Sequence, residues 1–84
     1  MNSKILKALI EAGAIKKMAI IGEGSFFRIE VSTQGGINTI ETLNGKLKTW
    51  SSLDAAAKWI RQHGIGKCDV NISRWHPAQR GMKL

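Results

Sequence analysis

Two periods alternate along the chain. From Ser3 to Gly13 the apolar residues Ile5, Leu6, Leu9 and Ile10 share one helical face, with Lys4, Lys7 and Glu11 off it. That spacing predicts an amphipathic helix, capped by Asn2 or Ser3 and stopped at Gly13. The period then changes to two. "MAIIGEGSFFRIEVST" (18–33) reads as two strand-like runs broken at Gly22-Glu23-Gly24, and in the second Phe27, Ile29 and Val31 face opposite to Phe26, Arg28 and Glu30. After Gln34-Gly35-Gly36 comes "INTIETLNGKLKTW" (37–50), with Asn44-Gly45 at its centre. Asn-Gly favours a type I′ hairpin turn, which would set Leu43 opposite Lys46, Thr42 opposite Leu47, Glu41 opposite Lys48 and Ile40 opposite Thr49.

Ser51 or Ser52 opens a second helix, and Ser51 with Asp54 has the spacing of a capping box. Leu53, Ala56, Ala57 and Ile60 form the expected buried stripe, with Asp54, Lys58, Arg61 and Gln62 outside it. After Gly64, "KCDVNIS" (67–73) alternates with Cys68, Val70 and Ile72 inward, which predicts a last strand. The order α-β-β-β-β-α-β gives an α+β fold: one small domain over 1–76, a mostly antiparallel sheet and two helices on one face. Residues 77–84 read as a mobile basic tail after Pro77.

Charge adds a direction to this frame. The 84 residues carry a formal net charge of +7. Residues 46–84 hold eight basic and two acidic groups, whereas residues 1–45 hold five and four. A lopsided positive field attracts polyanions, so DNA is one expected partner. The basic set is Lys46, Lys48, Lys58, Arg61, Arg74, Arg80 and Lys83, with Trp75 beside it as a ring able to stack on bases. Trp59, at the edge of the apolar stripe, and Trp75 are also candidate anchors for a protein partner, a homodimer included. Against both readings stands a plainer one, in which each tryptophan staples an edge of a small core.

Catalytic chemistry is not visible in the pattern. A nucleophile needs an adjacent base, and neither His63 nor His76 can be matched to Cys68, which the alternation points inward as a small hydrophobe. The six acids are scattered without metal-ligand spacing, and the glycine pairs lack the lysine and strand-to-helix setting of a phosphate loop. The expectation is a non-enzymatic protein without cofactor or metal. No apolar run is long enough to span a bilayer, and a lone cysteine without an export signal fits the cytoplasm.

The runs "LKALIEAGAI", "GEGSFFRIEV" and above all "LKTWSSLDAAAKWIRQHGIGKCDVNISRWHPAQRGM" resemble the ParC-family partition-associated proteins of bacterial plasmids and related mobile elements. The likeness runs from Ser52-Leu53-Asp54-Ala55-Ala56 through Gly64-Ile65 to Trp75-His76-Pro77. It implies an accessory encoded near stable-inheritance genes, and it carries no catalytic motif and no binding residues with it. Two functions follow as expectations. One is nucleic-acid binding in plasmid maintenance; the other is a dimeric interaction module acting on another plasmid-encoded protein, such as a partition ATPase or a toxin.

Overall fold

Side-chain caps start both helices of the computed structural model, which describes residues 1–76. In α1 (Ser3–Glu11) the Asn2 carboxamide oxygen accepts from the Ile5 N–H at 3.0 Å. In α2 (Leu53–Gln62) the Ser52 hydroxyl accepts from the Ala55 N–H at 3.1 Å. Each cap satisfies one of the donors that a helix start leaves unpaired. Because Ser52 is the cap, the Ser51–Asp54 box does not form, and Asp54 instead meets Lys58 at 3.2 Å one turn on.

Between the helices lie β1 (Lys17–Gly24), β2 (Phe26–Thr33) and β3 (Gly36–Thr39); β4 (Asp69–Trp75) follows α2. The sheet order is β3-β2-β1-β4. The β1–β2 and β2–β3 pairs are antiparallel, while β4 returns through α2 to run parallel beside β1. The register Met18↔Val31, Ile20↔Ile29 and Gly22↔Phe27 places the apolar positions on one face. Against that face pack Leu6 of α1, Ala56 and Ile60 of α2, and Ile40; these nine-residue core members, Gly22 excepted, are at most 2% exposed. The α+β domain with helices on one side of a mostly antiparallel sheet is thus as the sequence predicts.

Four local expectations change. First, Gly22 and Glu23 stay inside β1, and the chain turns at Gly24-Ser25, since Glu23 pairs directly with Phe26. Second, the Asn44-Gly45 turn is one residue longer than expected. Glu41 opposes Leu47 rather than Lys48, and Thr42 N–H donates to the Lys46 carbonyl at 2.7 Å. Gly45 has φ +83°, and no non-glycine residue among those described has a positive φ, so Asn44 does not adopt the conformation that a type I′ turn demands. A three-residue loop needs only one left-handed residue, and Gly45 supplies it at no steric cost. The return arm touches the sheet at isolated bridges, such as Phe27↔Trp50, and does not form a further strand among the described residues.

Third, α2 is rolled about its axis. Leu53 and Ala57, expected inside, are exposed, while Trp59 is half-buried beside Ala56 and Ile60. The indole is the largest apolar side chain of the helix, and it packs on Trp50 and His63 along that flank. Fourth, none of the described elements covers β4. Cys68 is half-buried, and Val70 and Ile72 lie on the helix side yet remain 47% and 49% exposed, because α2 packs on β1 and β2.

Candidate nucleic-acid interface

The aromatic residues converge along one end of the sheet. Trp50 exchanges two backbone hydrogen bonds with Phe27, at 2.8 and 2.9 Å. The Trp50 and Trp59 rings lie 5.3 Å apart, and Trp59 and His63 lie 4.2 Å apart, with His63 Nδ1 2.9 Å from the Trp59 carbonyl oxygen. On the other side of Phe27 sits Trp75, 5.3 Å between ring centres. Trp75 reaches this place because Gly22 has no side chain. A Cβ there would lie 2.8 Å from the Trp75 Cβ and 3.1 Å from the Phe27 ring. Lys48 Nζ stands 5.5 Å over the Trp50 ring, within cation–π range.

The basic residues read from the sequence do not form one patch. Lys46 and Lys48 lie on the hairpin, and Lys48 alone joins the aromatic run. Lys58 and Arg61 project from the outer side of α2, with Lys58 ion-paired to Asp54. Arg74 is paired in register with Glu23, on the sheet face away from the helices, while Trp75 is half-buried against Phe27. Arg80, Lys83 and the tail expected over 77–84 lie outside the described residues.

A second basic cluster was missed in the sequence because its members are far apart. The parallel β1–β4 register, Ala19↔Asp69, brings the starts of both strands together. Lys16, Lys17 and Lys67 therefore line one cleft of about 660 Å³ with Met18, Gly66, Cys68 and Asp69. Only Asp69 opposes the three ammonium groups, 3.3 Å from Lys17. Only the placement of β4 beside β1, which the chain reaches from β3 across the sheet through α2, brings the cluster together, since parallel neighbours start at the same end.

On the open face of the sheet the charges are paired. Arg28 donates through Nε to Glu23 at 2.9 Å and through Nη1 to Glu30 at 2.6 Å. The Glu30 hydrogen bond, joined by that of Glu23, raises the guanidinium pKa above its ordinary value despite partial burial. With Arg74 in register with Glu23, two arginines and two glutamates balance at the centre of this face. Across the described residues the pattern is one-sided. Five of the six acids are ion-paired, but only Lys17, Arg28 and Lys58 of the eleven lysines and arginines are. Among the described residues no group of three His, Cys, Asp or Glu is placed to hold a metal, and no helix is long and apolar enough to cross a membrane.

The class these features define is a small α+β domain with unneutralised cations on its helix side and at one sheet end. No family model matches the chain, and neither a curated protein nor a solved structure shows significant similarity to it.

Proposed function

We propose that this protein is a non-enzymatic, nucleic-acid-binding accessory whose phosphate contacts come from Lys16 and Lys67 at one end and from Lys46 and Lys48 on the hairpin. The observation that carries the reading is the imbalance of pairing: five of the six acids are occupied, and eight of the eleven described lysines and arginines are not. Phosphate contacts draw their free energy from released counterions, so unpaired surface lysines are suited to them. Trp59 and Trp75 serve first as core staples, and stacking on bases is left to the Lys48–Trp50 edge. The setting, plasmid maintenance in the bacterial cytoplasm, rests on the resemblance to ParC-family proteins in the runs quoted above.

Salt dependence tests the reading. Affinity for a mixed-sequence duplex should fall with salt along a log–log slope of about −0.9 per phosphate contact. Replacing Lys16 and Lys67 with glutamine should make that slope shallower by about one to two units. Binding that is absent, or indifferent to salt, would refute it and favour the interaction-module reading.

A further inference from the structure

The two edges of the sheet are treated differently. β3 is four residues long, and short edge strands resist pairing with another chain. β4 is seven residues long and, apart from Trp75, exposed throughout. Its inward positions carry no charge that would forbid an added strand: Val70 faces with Ile20, and Ile72 follows in the same alternation. Opposite Gly22 the strand holds an extra residue, a bulge between Asn71 and Arg74, with the Asn71 side-chain oxygen accepting from Ser73 N–H and Oγ–H at 3.0 and 2.8 Å. Before this bulge the regular register on β1 runs from Asp69 to Asn71.

Beside this strand, α2 packs on β1 and β2. Trp59 and His63 point toward Trp50 and the α1 side, where His63 and Gln62 share a cleft with Lys7 and Ile10. The opposite flank of α2, Leu53 and Ala57, therefore looks toward β4, and both residues are exposed.

We propose that β4 pairs antiparallel with β4 of a second copy of this chain, joining two sheets into one of eight strands. The strand's own charges select this occupant. Asp69 is its only acid and Arg74 its only base, and they stand at opposite ends. Parallel self-pairing would set like charges together, whereas antiparallel pairing brings Asp69 of each copy beside Arg74 of the other. Centred on Asn71, with the Ile72-Ser73 bulge taken as one position, the pairing sets Asp69 opposite Arg74, and Val70 opposite Ile72 of the second copy on the helix side. This inference does not depend on nucleic-acid binding.

The test is sedimentation of the full chain over a concentration series at about 0.15 M salt, where repulsion between the basic copies is screened beyond about 8 Å. The chain should sediment as a concentration-dependent dimer. Val70→Lys or Ile72→Lys should raise the dissociation constant by at least about tenfold, since an inward lysine blocks an edge. Both should keep the wild-type circular dichroism, because the replaced side chains are already half exposed. In a Cys68→Ala background, Asn71→Cys should crosslink two copies on mild oxidation, and Lys67→Cys should not. A chain that stays monomeric throughout overturns the proposal. So does a dimer that both lysine variants leave intact and Asn71→Cys fails to crosslink.

Discussion

Gly22 shows how one missing side chain organises a neighbourhood. In sequence it belongs to "GEG" and reads as a break; in the fold it is a strand residue whose missing Cβ leaves the space that Trp75 occupies. Gly22→Ala should therefore destabilise by about 1–3 kcal/mol, the usual cost of overpacking, because the nearest atom is the Trp75 Cβ rather than a flexible tip. Chemical denaturation measures this, and an unchanged midpoint would mean that Trp75 does not pack there. Gly45 is a different case. Its φ of +83° is costly for a β-branched residue, so Gly45→Val should cost about 1–3 kcal/mol. Asn44→Ala separates the two turn types: it should change stability by less than about 0.5 kcal/mol, since Asn44 is exposed and not left-handed. A larger loss would restore the two-residue turn.

At the scale of elements, what could be read in advance followed from local rules. The strand alternation of Phe27, Ile29 and Val31, the caps near Asn2 and Ser52, and the helix ends near Gly13 and Gly64 all depend on neighbours within a few residues. The roll of α2 was not legible, because Leu53, Ala57 and Trp59 are all apolar and the choice between flanks is made by Trp50, a residue of another element. Nor was the uncovered state of β4, since alternation reports which way a side chain points and not whether anything lies above it. The same holds for the lysine cleft, which exists only once β4 lies beside β1. Trp59→Ala tests the roll: losing the contacts with Trp50 and His63 should cost about 2–4 kcal/mol, toward the lower end for a partly exposed ring. Leu53→Ala should cost much less, by calorimetry or denaturant titration. The reverse ranking would return the stripe to Leu53 and Ala57.

For the whole molecule, the distribution of charge matters more than its sum. A net +7 says only that polyanions are attracted. The arrangement says where: the open sheet face holds Arg28 between two glutamates and Arg74 in register with one of them, while Lys16, Lys67, Lys46 and Lys48 have no acid partner among the described residues. The most direct measurement is an amide chemical-shift map of the folded protein titrated with a mixed-sequence DNA duplex at low salt. Shifts should concentrate at Lys16–Lys17, Lys46–Lys48 and Lys67, with Arg28 and Glu30 on the open face unmoved. Shifts centred on Arg28 and Glu30, or none at all under saturating duplex, would contradict the account.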